Sequence, residues 1–145
     1  KMLVMIGHTG AGKSHLLEAI GRYALEHNRT VRYDLTSTFL TRLRHTYESD
    51  TGEDIHDLTA WYQRRDTLLL DDIGIEAATP WVKEQLTTLV EERLHSGGWL
   101  ALATNLSKAE MSTWMGERLS SRVYADNPEL PEVAVVYTDA KDYRA

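Results

Sequence analysis

No cysteine occurs among the 145 residues, so disulfides and thiolate metal sites are excluded. The six histidines, His8, His15, His27, His45, His56 and His95, are scattered without the spacing of a transition-metal site. No run approaches the ~20 consecutive apolar residues that a membrane-spanning helix needs. A signal-peptide pattern is also lacking, which makes the cytoplasm the expected location and leaves no expectation of membrane contact. Positive charge is in deficit: 16 Lys and Arg face 22 Asp and Glu, for a net charge of −6. That balance argues against broad, nonspecific duplex binding, which depends on many cationic contacts to phosphates, so any nucleic-acid contact is expected to be local. Only three prolines are present, Pro80, Pro128 and Pro131, each near a proposed element boundary. With no internal repeat, low-complexity tract or linker, 1–145 reads as one continuous domain, and 42% hydrophobic residues suffice for a full core. The chain opens Lys1-Met2 and enters a core strand at once, so it is expected to be a fragment lacking an N-terminal, partner-binding domain.

What is present is an alternation of short apolar runs and longer amphipathic stretches. The runs at 3–6, 30–35, 68–71, 99–103 and 133–137 predict five strands of a parallel sheet sandwiched by helices, an α/β fold. The first helix follows the apolar positions Leu16, Leu17, Ile20, Tyr23 and Ala24 and stops near Asn28. Two more are expected at 37–47 and 55–64, joined by an acidic, glycine-containing connection at 50–54. Another lies between Thr79-Pro80, an N-cap with a first-turn proline, and Gly97, a C-terminal glycine. Ser107 and Glu110 have the spacing of a capping box.

The first strand leads into Gly7-His8-Thr9-Gly10-Ala11-Gly12-Lys13-Ser14, followed by His15, which matches the phosphate-binding P-loop in its strand-loop-helix setting. Glycines let the backbone take torsions that side chains oppose, so successive N–H groups can point at a β-phosphate while the following helix adds its dipole. Lys13 would reach the β- and γ-phosphates, and the Ser14 hydroxyl would hold Mg²⁺. The expected cofactors are therefore ATP or ADP with Mg²⁺, the one metal implied. Leu68-Leu69-Leu70-Asp71-Asp72 is an apolar strand ending in two carboxylates, where open α/β sheets bind ligands, and reads as a Walker B motif. Asp71 is expected on Mg²⁺ through its water shell, with Asp72 as the base that polarises the attacking water. The strand at 99–103 similarly delivers Thr104-Asn105, and Asn105 can donate to a γ-phosphate; alone, a strand ending in Thr-Asn is more often a turn or helix-cap residue, and the functional reading depends on the other motifs. Arg118 and Arg122, four apart, share one face if their segment is helical, and suit an arginine finger supplied by a neighbouring subunit. The plainer reading of Arg118 is a pairing with a nearby Glu.

A P-loop does not specify the reaction. Asp71-Asp72-Ile73-Gly74 fits the D-x-x-G of GTPases, yet no N-K-x-D guanine motif follows. Ser96-Gly97-Gly98 resembles the transporter-ATPase signature but lies on the wrong side of Walker B. A small-molecule kinase is an alternative, though no lid insertion is visible. The order P-loop, Asp71-Asp72-Ile73-Gly74, Thr104-Asn105 and Gly116-Glu117-Arg118 through Arg122 resembles the AAA+ ATPase domain of DnaC/DnaI-type helicase loaders over nearly all of the chain. Thr79-Pro80-Trp81-Val82-Lys83-Glu84-Gln85-Leu86, Asn105-Leu106-Ser107 and Asp142-Tyr143-Arg144 look like segments of the same family. His8-Thr9 stands where relatives often carry a proline, and Ser14 where threonine is commoner.

The resemblance implies a Walker A loop at Gly7 to Ser14, Walker B at Asp71 and Asp72, and sensor 1 at Asn105. It further implies an arginine finger at Arg122, with Arg118 as second candidate, a sensor 2-like role for Arg144, and little or no C-terminal lid. The function it implies is slow, assembly-dependent ATP hydrolysis in replication initiation. The expected partners are a replicative hexameric helicase, single-stranded DNA and further copies of the chain across the ATP site. Transposition helper ATPases of the IstB type share these motifs, so a transposase is the alternative partner. The region 37–65 corresponds to the extra helical structure of initiator-type AAA+ proteins. Phe39, Arg42, Arg44, His45 and Tyr47 there can hold phosphates and stack bases, or form an amphipathic helix with Phe39, Leu40 and Leu43 inward.

Overall fold

Apolar residues on both faces of a strand require cover on both sides, and the three most apolar strands take the middle of the sheet. A computed structural model of the chain describes residues 1–48, 55–124 and 133–138. Its five strands are β1 (Met2–Gly7), β2 (Val31–Leu35), β3 (Thr67–Ile73), β4 (Trp99–Thr104) and β5 (Val133–Thr138), and they form one sheet in the order β2-β3-β4-β1-β5. Every neighbouring pair is parallel. The helices are α1 (Lys13–Glu26), α2 (Thr36–Glu48), α3 (Ile55–Gln63), α4 (Pro80–Ser96), α5 (Lys108–Met115) and α6 (Glu117–Val123).

The period of two along each strand sorts the core into two layers. Met5, Leu69, Ala101 and Ala103 face Leu17 of α1, with Ile20 packed alongside. On the other face Val4, Leu68, Leu70, Leu100 and Leu102 pack against α2 to α6 through residues such as Phe39, Tyr62, Leu86, Leu89, Met111 and Leu119. The expected five-stranded parallel sheet between helices is the observed fold.

Most element ends fall within a residue or two of expectation. The largest difference at the site is β3, which runs through Asp71 and Asp72 to Ile73 instead of stopping at Asp71. Leu70 pairs with Leu102 but Ile73 with Thr104, so β3 carries one extra residue there, a bulge that only its pairing with β4 reveals. The connection at 50–54, Pro128, Pro131, Arg144 and any C-terminal lid lie outside the described residues.

Phe39 corrects the base-stacking option. It is 1% exposed and meets Tyr62 edge-on with 4.9 Å between ring centroids, so it cannot stack on a base. The apolar stripe Phe39, Leu40, Leu43 belongs to the core, while Arg42, Arg44, His45 and Tyr47 are exposed. Arg44 lies over the Trp81 ring at 5.0 Å.

Caps hold the helices where the sequence places them. The Ser107 hydroxyl accepts from the Glu110 N–H while the Glu110 carboxylate accepts from the Ser107 N–H. Thr79 Oγ1 accepts from the Val82 N–H at 3.3 Å, ahead of Pro80. Thr79→Ala is expected to cost about 1 kcal/mol of stability, read as a lower urea midpoint with unchanged nucleotide affinity.

Candidate functional site

The loop after β1 is shaped by close approach and by left-handed backbone. A Cβ on Gly7 would lie 2.0 Å from Thr138 Oγ1 of β5, so only glycine lets β1 and β5 stay paired there. Gly10 and Gly12 have φ of 84° and 83°, a region that side chains disfavour, and these turns bring the loop round to start α1 at Lys13. Gly12 offers no side-chain cap to α1. The first-turn N–H groups of α1 are thereby left for an anion.

Lys13 is only 5% exposed, and its Nζ donates to the carbonyl oxygens of Gly7 and His8, each at 2.8 Å. Burial pushes its pKa down, opposed by the charges of Asp71 and Asp72. Asp71 is 2% exposed. Its Oδ2 accepts from the Tyr33 hydroxyl at 2.6 Å and its Oδ1 from the Asp72 N–H at 2.9 Å, which fixes the carboxylate between β2 and β3. Burial, helped by the hydrogen bond to Asp71, raises the Tyr33 pKa far enough to keep the phenol protonated and donating.

Asp72 sits at the bulge with φ of 54°, uncommon for a residue with a side chain, and this turns it from the buried line of Asp71 to the cleft. Burial and then the charge of Asp71 raise its pKa, with Lys13 pulling the other way. Thr104 Oγ1 donates to the Ile73 carbonyl at 2.7 Å and accepts from the Leu106 N–H at 3.1 Å, clamping the ends of β3 and β4. The next residue, Asn105, reaches the cleft.

The cleft has a volume of about 420 Å³ at the carboxyl end of the sheet, where a doubly wound fold places its ligands. Of the expected residues, Thr9, Gly10, Gly12, Lys13, Ser14, His15, Asp72 and Asn105 line it. Gly7, His8, Ala11 and Asp71 do not line it: the carbonyls of Gly7 and His8 hold Lys13, Ala11 is buried, and Asp71 is fixed by hydrogen bonds. Two lining residues escaped sequence reading, Glu18 and Ile75. Glu18 lies one turn after Ser14 and therefore on its face, a usable signal. Ile75 is 68% exposed, a large apolar side chain in the turn after Gly74.

Ser14 and the two aspartates offer hard oxygens, the donor chemistry that suits Mg²⁺. Among the described residues no cluster of three or more His, Cys, Asp or Glu could hold a metal alone. Both Asp71 oxygens already accept hydrogen bonds, so contact through a water suits this carboxylate better than direct ligation.

The arginines lie elsewhere. Arg118 and Arg122 border a separate pocket of about 160 Å³ with Glu91, Leu94 and His95, sharing no residue with the cleft. Arg118 is paired, as its plainer reading expects, but with Glu91 of α4 rather than a neighbour on its own helix.

Comparison with known proteins accords with this geometry. Residues 1–126 match the family described as the bacterial DnaA ATPase domain. The replicative helicase loader DnaC of Buchnera aphidicola subsp. Acyrthosiphon pisum is 27% identical over 128 residues, 86% of this chain and 50% of that protein. Thus the chain spans about half the length of that relative. A crystal structure of the DnaC helicase loader matches with a TM-score of 0.80 at 20% identity, over 95% of this chain and 78% of that one. AMPPCP-bound DnaA from Aquifex aeolicus matches with a TM-score of 0.81 at 21% identity, over 96% of this chain and 40% of that one. The family match over residues 1–126, on a five-stranded parallel sheet with a P-loop at its carboxyl end, means that the chain belongs to the bacterial DnaA ATPase domain family of AAA+ proteins.

Proposed function

We propose that this chain is the ATP-binding and ATP-hydrolysing domain of a replicative helicase loader, acting on single-stranded DNA and a hexameric helicase during replication initiation. The observation that carries the reading is the separation of the two half-sites. Lys13, Ser14, Asp72 and Asn105 share one cleft, while Arg118 and Arg122 border a pocket with no residue in common with it. A neighbouring copy would complete the site, and the likeness to DnaC supports a loader, while DnaA initiators are similar to the same degree.

In this scheme the loop N–H groups cradle the β-phosphate, and Lys13 exchanges the Gly7 and His8 carbonyls for phosphate oxygens. Ser14 and, through water, Asp71 would hold Mg²⁺, which neutralises phosphate charge when bound. Asp72 accepts the proton of the attacking water as its oxygen bonds to the γ-phosphorus, and the bond to the β–γ bridging oxygen breaks to release ADP. Asn105 orients that water, and Arg122 of an adjacent subunit stabilises the charge developing on the γ-phosphoryl oxygens.

Arg122→Ala is expected to keep nucleotide affinity and to lose at least about tenfold in hydrolysis stimulated by assembly on single-stranded DNA. Mixing it with Asp72→Asn subunits, which lack the base but carry Arg122, should restore turnover. Unchanged hydrolysis by the single variant would defeat the finger assignment. The loader role is tested by pull-down of a replicative helicase with the full-length protein; retention of a transposase instead would move the chain to the transposition helpers.

A further inference from the structure

We infer that Arg118 and Glu91 form a strut between α6 and α4 whose purpose is to present Arg122 to a neighbouring subunit. The inference rests on the proposed supply of an arginine in trans, and it divides the labour between two arginines that sequence leaves equivalent. Arg118 becomes a positioning residue and Arg122 the one that reaches the nucleotide.

The geometry separates them. α6 is seven residues long and buries Leu119 and Val123, so its outer face carries Arg118 and Arg122 one turn apart. Glu91, on α4, serves both. Arg118 donates from Nε to Glu91 Oε1 at 3.0 Å and from Nη2 to Oε2 at 2.8 Å, a two-pronged pair that fixes the guanidinium plane. Arg122 Nε lies 3.8 Å from Glu91 Oε1, within electrostatic range but beyond hydrogen-bonding distance. Its side chain is 51% exposed, and among the described residues its guanidinium makes no hydrogen bond to protein.

One arginine therefore has two of its donors committed to a carboxylate, and the other is steered by that carboxylate without being held. Arg118 is itself 77% exposed, but turning its guanidinium toward a phosphate disrupts that two-pronged pair; turning Arg122 breaks no hydrogen bond. The hydrogen bond and charge of Arg118 hold the Glu91 carboxyl below its usual range, assisted by the charges of Arg122 and His95, so Glu91 stays ionised as the shared anchor. Further bonds steady the platform. Ser120 Oγ donates to Ser112 Oγ of α5 at 2.9 Å, and Ser121 Oγ donates to the Arg118 carbonyl at 2.8 Å.

The strut and a direct role for Arg118 make opposite predictions for Glu91→Gln. If Glu91 only restrained a second catalytic arginine, breaking the pair would free Arg118 and turnover would hold or rise. A strut predicts a loss matching that of Arg118→Gln. The experiment mixes acceptor subunits carrying Arg122→Ala with donor subunits carrying Asp72→Asn, so that turnover of ATP on oligo-deoxythymidine reports the donor's arginine face alone. Donors with Arg118→Gln or Glu91→Gln added are expected to lose about tenfold in turnover with unchanged nucleotide affinity. The charge swap Glu91→Arg with Arg118→Glu is expected to recover most of it, because it rebuilds the bridge and keeps a carboxylate one turn from Arg122.

Full activity of the Glu91→Gln donor, or a swap as inactive as Arg118→Gln, would overturn the strut. Urea midpoints and circular dichroism of each donor separate this from misfolding, and the swap remains decisive where a single variant is unstable. If unmodified Asp72→Asn donors fail to rescue Arg122→Ala at all, the shared ATP site itself fails. A working rescue with an inactive swap removes only the strut.

Discussion

Replacing Lys13 by alanine is expected to weaken ATP binding by about a hundredfold, a loss of about 2.7 kcal/mol. The figure follows from what the ammonium does. It is nearly enclosed and sits on two carbonyl oxygens at 2.8 Å, so its hydrogen bonds to the loop are already made and only change partner when a triphosphate arrives. Charge-assisted bonds to phosphate are about twice as strong as neutral ones, and each contributes about 1.5–3 kcal/mol. Nothing else in the loop replaces that charge, because among the described residues lining the cleft Lys13 is the only lysine or arginine.

A cation held at a lowered pKa is disfavoured by desolvation, so its removal relieves one cost while depriving Asp71 and Asp72 of a counter-charge. The lost counter-charge beside the buried Asp71 makes some destabilisation without nucleotide the expected net result, so affinity is read on the folded fraction. Calorimetric titration with MgATP measures the affinity. Thermal unfolding with and without nucleotide gives an independent reading, since saturating ligand stabilises the folded state by an amount set by its dissociation constant. Retained affinity, or a nucleotide-dependent shift equal to that of the parent, would contradict the placement of Lys13 on the phosphates.

Local chemistry was legible because it is written in consecutive residues. Strand, glycine loop and lysine follow one another, as do Thr79, Pro80 and the helix they open, and the structure has both where the pattern puts them. What escaped reading depends on pairing across the chain. The bulge that turns Asp72 to the cleft exists because β3 has one residue more than β4 between two pairs, which β3 alone cannot show. Tyr33 is 38 residues from the Asp71 it orients, and Glu91 is 27 residues from Arg118. Phe39 illustrates a different limit. One period of hydrophobicity describes both a helix that packs inward and a helix that offers an aromatic ring to bases, and the burial that decides between them is contributed by Tyr62 on α3.

Arg93 is the other residue that sequence hides, since an arginine in the last turn of α4 reads as an ordinary partner for the helix dipole. It is 1% exposed. Nη1 donates to the carbonyls of Gln63 at 3.1 Å and Arg65 at 2.6 Å, and Nη2 to those of Asp66 at 3.2 Å and Trp99 at 2.5 Å. One guanidinium thus ties the end of α3 and the approach to β3 to the first residue of β4. The chain closes around it so tightly that a Cβ at Gly98 would lie 2.5 Å from Arg93 Cζ. Burial lowers its pKa and Asp66 opposes this, yet a guanidinium starts high enough to stay charged at neutral pH.

Arg93→Ala removes four bonds from a charged donor to part-buried carbonyls, of which that of Asp66 still accepts from the Trp99 N–H, and leaves a cavity the size of the lost side chain. The expected cost is about 3–5 kcal/mol, a large part of the roughly 5–15 kcal/mol by which a domain is stable. Arg93→Lys should recover less than half, because a single ammonium cannot span acceptors spread around a planar fork. Urea unfolding monitored by circular dichroism measures both. The midpoint is expected to fall steeply while the folded fraction still binds nucleotide, since Arg93 braces the amino end of β4 and the cleft opens at the carboxyl end. A loss under about 1 kcal/mol would mean that water satisfies those carbonyls as well as the guanidinium does, and that the brace contributes little to the fold.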